Sequence, residues 1–146
     1  MKVSEVELIY KKKVSTADCI KVTTSKIAFD ILFNLWDKNK IDYVESFYVL
    51  YLNRANKVIG SVQLSSGGCI STIVDVKVLI QGALLSNAQG VIVAHNHPSG
   101  SLIPSKNDID ITSSIKTACN YFEISLLDHL IIAENNYYSF KDEGKV

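Results

Sequence analysis

Residues 95 to 108 run His95-Asn96-His97-Pro98, then Ser99-Gly100-Ser101-Leu102-Ile103-Pro104, then Ser105-Lys106-Asn107-Asp108, and these residue types at these spacings suit a metal ion. The two histidines are separated by one residue and close the apolar run Val91-Ile92-Val93-Ala94. Side chains alternate along a strand, so both imidazoles point to one side and can reach one ion. Pro98 cannot donate to a sheet ladder, so the strand is expected to stop just beyond His97, and the Ser-Gly turn lets the chain bring Asp108 back. Two nitrogens and one carboxylate oxygen on a tetrahedral ion leave a fourth position for water, which is the pattern of a catalytic zinc site rather than a closed structural one. The same segment fits a helix start, with Ser105 as N-cap and Asp108 at N3 in place of the usual Glu or Gln. Both roles can hold at once, because a carboxylate at N3 stays beside the preceding loop.

A water activated by a metal needs a proton acceptor, and a carboxylate can take the proton and later pass it to a leaving amine. Glu5, Glu7, Glu123, Glu134 and Glu143 sit at expected strand ends, helix ends or the tail, where solvated carboxylates are ordinary. Glu45 instead opens Glu45-Ser46-Phe47-Tyr48-Val49-Leu50-Tyr51-Leu52, where a charge beside core residues is costly without a partner. A strand-end charge facing water is the alternative for Glu45. Ser105 has a second role open to it besides the cap, since its hydroxyl or the nearby backbone could donate to a tetrahedral oxyanion.

The elements that must position these groups are expected as follows. Val6 and Leu8 alternate with Glu5 and Glu7 in a strand-like pattern. Ile27, Ala28, Ile31, Leu32, Leu35 and Trp36 have helical spacing after the caps Thr24 and Ser25, and Asp37-Lys38-Asn39-Lys40 ends that helix. Residues 44–52 and 58–64 flank a turn at 53–57 and predict a hairpin, with a loop at Ser65-Ser66-Gly67-Gly68. A second helix over 75–88 feeds the strand of the histidines. The third starts near Ser105 with Ile109, Ile115, Ala118, Cys119 and Phe122 as its inner face. Ser125 to Ala133 reads as a buried strand, and Tyr137 to Phe140 as a last short one. Inside the buried strand, Asp128 and His129 must point to opposite faces, so they are not taken as metal ligands; one is expected to hydrogen-bond within the fold while the other faces a partner. The sum is an α/β or α+β arrangement of mixed strands and helices around one sheet.

With 146 residues, 47% of them hydrophobic, the chain is long enough for one domain with a proper core. Lys plus Arg number 15 and Asp plus Glu number 15, so no global charge favours nucleic acid or an acidic membrane. The basic run Lys11-Lys12-Lys13 reads as a solvated strand end. Cys19, Cys69 and Cys119 are far apart and odd in number, which argues against a disulfide framework or zinc ribbon and for a reducing cytosol. The N-terminus lacks the pattern of a signal peptide, and no stretch approaches about 18 uninterrupted apolar residues, so a soluble cytoplasmic protein is expected.

Taken together, Glu45, His95-x-His97-Pro98, Ser105 and Asp108 resemble the JAMM motif of the JAB/MPN metalloprotease superfamily. Within it, His-Asn-His-Pro-Ser-Gly, Pro104-Ser105, Leu127-Asp128-His129-Leu130-Ile131-Ile132, Tyr138-Ser139-Phe140 and Glu143-Gly144 are similar to the RadC-like branch. The likeness runs from about residue 25 to the C-terminus. It implies a deaminase-like α/β sandwich, a central mixed sheet flanked by about three helices. It also implies one zinc ion on His95, His97 and Asp108, with Glu45 as general acid/base and Ser105 supporting the intermediate. The helix-hairpin-helix domain common in full-length members is not expected before the catalytic part. Where many relatives carry His-Pro-Arg-Glu before the second helix, this chain reads Val74-Asp75-Val76-Lys77.

The leading expectation is therefore a zinc-dependent peptidase or isopeptidase acting on a protein or peptide. The alternatives are a DNA-associated accessory factor, which balanced charge does not favour, and a metal-dependent nuclease, which often needs two ions. Iron is an alternative ion, since two histidines and a carboxylate also describe the facial triad of non-haem iron enzymes.

Overall fold

The computed structural model describes residues 2–7, 9–67 and 74–146 of the chain. Its elements are α1 (Ser25–Leu35), β1 (Ser46–Leu52), β2 (Val58–Ser66), α2 (Val76–Leu85), β3 (Gly90–Asn96), α3 (Lys106–Tyr121), β4 (Ser125–Ile132) and β5 (Tyr137–Ser139). The five strands form one sheet in the order β2-β1-β3-β4-β5. Every pairing is antiparallel except β3 with β4. Two parallel neighbours cannot be joined by a tight turn, and α3 lies in the connection that brings the chain back.

The sheet is covered on both faces, which explains why β3 is buried along its whole length and reads as a continuous apolar run. Val91 and Val93 of β3 join Phe47, Val49 and Tyr51 of β1 against Leu79 and Ala83 of α2 and Ile115 and Cys119 of α3. Ile92 and Ala94 join Leu50, Leu52, Leu130 and Ile132 against Ala28, Leu32 and Trp36 near α1. Alternation thus gives His95 to the α2/α3 face and Asn96 to the α1 face. Each helix begins where a side chain supplies the missing acceptor: Thr24 for α1, Asp75 for α2 and Ser105 for α3.

Four expectations are corrected. The alternation around Val6 forms no strand among the described residues, and Val6 is 82% exposed; alternation stabilises a strand only where a neighbour pairs with it and a core covers one face. For the same reason Lys11-Lys12-Lys13 is exposed but ends no strand. Ser65 and Ser66 extend β2 instead of forming a loop, paired with Phe47 and Ser46, while Gly68 lies outside the described residues. On α3, Ile109 and Phe122 are about half exposed, and the buried residues are Asp108, Thr112, Ile115 and Cys119. Their spacing of four, three and four is helical, but two of the four are polar, so an apolar count alone turns the face by one residue.

Cys19 and Cys119 are free thiols, and Cys69 lies outside the described residues. Burial pushes the Cys119 thiol up to about 11, which makes it a packed core residue rather than a nucleophile. Among the described residues, no helix is long and apolar enough to cross a membrane.

Candidate metal centre

His95, the penultimate residue of β3, and His97, just beyond the strand, converge on Asp108 in the first turn of α3. Nε2 of His95 is 3.0 Å from one Asp108 oxygen, Nε2 of His97 is 3.2 Å from the other, and the two nitrogens are 2.9 Å apart. Ligand atoms placed tetrahedrally at zinc bond lengths are about 3.3 Å from one another, so one ion fits among these three after shifts of a few tenths of an ångström. Among the described residues this is the one group of three such donors.

Local structure explains the convergence. Pro98 follows the second histidine, and the turn that closes with Gly100 donating to the His97 carbonyl reverses the chain. Gly100 adopts φ +77°, a conformation that favours glycine. Ser105 then starts α3 with a reciprocal capping box: its hydroxyl accepts from the Asp108 amide at 3.1 Å, and its own amide donates to Asp108 Oδ2 at 2.7 Å. The same box that starts the helix therefore holds the Asp108 carboxylate toward the histidines. The Ser105 hydroxyl keeps its hydrogen free to donate, and the residue is exposed.

Electrostatics suit a cation. Burial alone would raise the Asp108 carboxyl, but hydrogen bonds from His95 and His97 outweigh it and hold the group well below the usual carboxylate range. The Asp108 bond raises His97 above its ordinary value against the opposing effect of burial, with the Ser101 carbonyl and the Asp108 and Glu45 charges adding to the rise. Nδ1 of His97 lies 2.8 Å from the Ser101 carbonyl, which can only accept, so that nitrogen carries a proton and Nε2 is the atom turned toward Asp108 and His95.

Glu45 immediately precedes β1 and is half-buried. The register pairs Phe47, two residues beyond Glu45, with His95, and the Glu45 charge is near enough to raise His97, although Glu45 is not one of the three converging donors. Asn96, between the two histidines, points the other way and is fully buried. Its amide nitrogen donates to the carbonyls of Ile41 and Val44 at 2.7 and 2.9 Å, and its oxygen accepts from the Ser46 amide at 2.8 Å. One side chain thus pins the segment that delivers Glu45, a role invisible in the sequence except as the residue between two histidines.

Asp128 and His129 do point to opposite faces, but neither faces a partner: both are buried. His129 is stacked on Phe140, with ring centroids 4.8 Å apart, and lies 2.8 Å from Nδ1 of His95 and 2.6 Å from the Thr112 hydroxyl. Burial, and the His95 charge after it, push His129 well below its usual value. Asp128 accepts from the Ser139 hydroxyl at 2.6 Å and the Lys141 amide at 3.0 Å, tying down the C-terminal segment that carries Phe140. Burial raises its carboxyl, although these bonds oppose the rise. Thr112 gave no sequence signal beyond lying four residues after Asp108, one helical turn on.

A family model described as the RadC-like JAB domain matches residues 22–145. The chain is 49% identical over 124 residues to a UPF0758 protein of Flavobacterium johnsoniae, covering 85% of this chain and 53% of that protein. It is 36% identical over 141 residues to a UPF0758 protein of Fusobacterium nucleatum, covering 95% and 61%, and 42% identical over 101 residues to one of Porphyromonas gingivalis, covering 68% and 44%. The chain spans about half the length of the curated relatives it matches.

Proposed function

The chain belongs to the RadC-like JAB domain family, and on that premise we propose that it is a zinc-dependent hydrolase of the peptidase or isopeptidase type, with His95, His97 and Asp108 holding one ion. The observation that carries this reading is the convergence of two imidazole nitrogens and a carboxylate within 3.2 Å of one another beside an exposed hydroxyl and a half-buried glutamate. A zinc ion bound there would polarise a substrate carbonyl and make water an effective nucleophile near neutral pH. Glu45, whose charge reaches His97, takes the proton from the attacking water and returns it to the leaving amine. The Ser105 hydroxyl, whose hydrogen the helix cap leaves free, donates to the oxygen of the tetrahedral carbon. A single trio of donors among the described residues suits one-ion hydrolysis better than a two-ion nuclease.

The test is Glu45→Gln in zinc-loaded protein, assayed on a panel of peptide- and isopeptide-linked probes alongside elemental analysis. One ion per chain is expected to remain while hydrolysis falls by about 10²- to 10⁴-fold. Turnover equal to that of the unaltered protein removes Glu45 from the mechanism, and more than one tightly held ion counts against this reaction class.

A further inference from the structure

We propose that residues 5–13 pair antiparallel with the same residues of a second copy of this chain, in the register that sets Ile9 opposite its own counterpart. The stretch carries two sequence features that the fold leaves without a neighbour: the alternation Glu5-Val6-Glu7 and the basic run Lys11-Lys12-Lys13. Residues 2–7 and 9–13 take up no helix, strand or turn and are all exposed, Val6 at 82% and Ile9 at 59%. Glu5, Glu7, Lys11 and Lys13 enter none of the ion pairs among the described residues.

A two-fold axis at Ile9 sets Glu5 opposite Lys13 and Glu7 opposite Lys11, and because an isologous contact occurs twice, four opposite-charge pairs form. Side chains directly opposite share a face, so these charges lie on one side of the ribbon with Ile9 at its centre. Val6, Tyr10 and Val14 fall on the other face. There the partner's Val6 stands opposite Lys12 and diagonally between Tyr10 and Val14. Moving the axis one residue either way keeps only one kind of Glu–Lys pair, Glu5 with Lys11 or Glu7 with Lys13, so the charges specify the register. Within one chain the same pairing would be a hairpin turning at Leu8-Ile9-Tyr10, where branched and aromatic residues stand in place of the Gly, Asn, Asp or Pro that a tight turn uses. A second copy needs no turn.

Each protomer's sheet supports the ribbon. The Tyr10 hydroxyl donates to the Ile59 carbonyl of β2 at 2.5 Å, and farther along the Val58 amide donates to the Ile20 carbonyl at 2.9 Å, so the segment is tied to the edge of the sheet at both ends. Between these ties Tyr10 and Val14 border a cavity of about 620 Å³ together with Ile31 and Leu35 of α1 and Val58 of β2; Lys11 and Lys13 border it too. The partner's Val6, set between Tyr10 and Val14, adds an apolar side chain over that cavity. A free two-stranded ribbon is marginal in water, and these ties are what allow this one to persist.

Sedimentation equilibrium of the full chain at low salt tests the pairing. The mass is expected to rise with concentration from 16.2 kDa toward twice that value. Glu5→Lys with Glu7→Lys, and separately Lys11→Glu with Lys13→Glu, turn every pair into like charges, and each variant alone is expected to associate at least about tenfold more weakly. The altered residues are exposed, so the melting temperature of each variant is expected to stay as it was. Mixing the two variants makes every pair opposite again. The mixture is expected to dimerise as the unaltered chain does, and to dissociate as salt is raised. A chain that stays at 16.2 kDa up to about 1 mM, the weak end of specific association, overturns the proposal. So does a dimer that both variants form as readily as the unaltered chain, which places the contact elsewhere, or a mixture no more associated than its two components.

Discussion

His97 is the group through which the candidate centre should sense pH. Its imidazole is raised above its ordinary value, chiefly by the Asp108 bond, so in the metal-free chain the proton is held up to a higher pH than usual. Metal and proton compete for the same Nε2. Zinc affinity is therefore expected to be flat at high pH and to fall by about tenfold per unit, for one proton displaced, once the pH drops through the raised His97 value, which lies above 6.5. Chelator-competition titrations between about pH 6 and 9 check this, and an affinity that does not change across that range sinks His97 as a ligand. At this scale the sequence was informative because the candidate ligands lie within fourteen residues of chain, where strand alternation and a helix cap are local rules. Glu45 was legible only as a charge opening an apolar strand, and the family resemblance singled it out. His129 and Thr112 were not legible as partners, since no local rule relates positions 95, 112 and 129.

The elements meet through side chains that belong to two of them at once. Asp108 is a helix cap and a candidate ligand; Asn96 ends β3 and holds the segment entering β1. Replacing Asn96 by Ala leaves two carbonyls and an amide without their partner in a buried place, at a cost of about 1–3 kcal/mol for each group that finds no other. Asn96→Ala is thus expected to lower the melting temperature and to cut hydrolysis more than zinc affinity, because the bonds it loses hold the segment that carries Glu45, whereas the backbone of the flanking His95 and His97 is held by β3 and the turn that follows it. Equal losses of affinity and turnover would instead point to collapse of β3 itself. The inner face of α3 teaches why the element was placed correctly and rotated wrongly. Its start is signalled by Ser105 and Asp108, but its face follows from what it packs against, and at the metal end that is imidazole, which selects Asp108 and Thr112 rather than Ile109.

For the whole molecule, the buried polar system of His129 makes folding depend on pH. Its folded-state value is depressed by burial below the ordinary histidine value of 6.5. As pH falls below about 6.5 the unfolded chain binds a proton there and the folded chain does not, so stability present above that pH is lost on acidification. Metal-free protein is expected to be less stable to urea at pH 5 than at pH 7. His129→Gln, though less stable overall, should show a shallower decline over the same window; an identical slope would mean that His129 does not set it. On the opposite face, Asp128 anchors the C-terminal segment whose Phe140 supports His129, so the two adjacent residues serve one centre from two sides of the sheet.

By itself the sequence determined the local pieces: helix starts at Thr24, Asp75 and Ser105, the hairpin, the buried strand of the histidines, and the trio His95, His97 and Asp108. Each depends on residues near one another in the chain, where backbone sterics and hydrogen-bonding capacity leave few choices. Tertiary structure alone decided which strand lay beside which, and hence that the Glu45 charge acts on His97, that α3 turns Thr112 inward, and that His129 backs His95. Those relations join positions 17 to 52 residues apart, and they follow from burying both faces of one sheet, a condition on the whole core that no single stretch of sequence expresses.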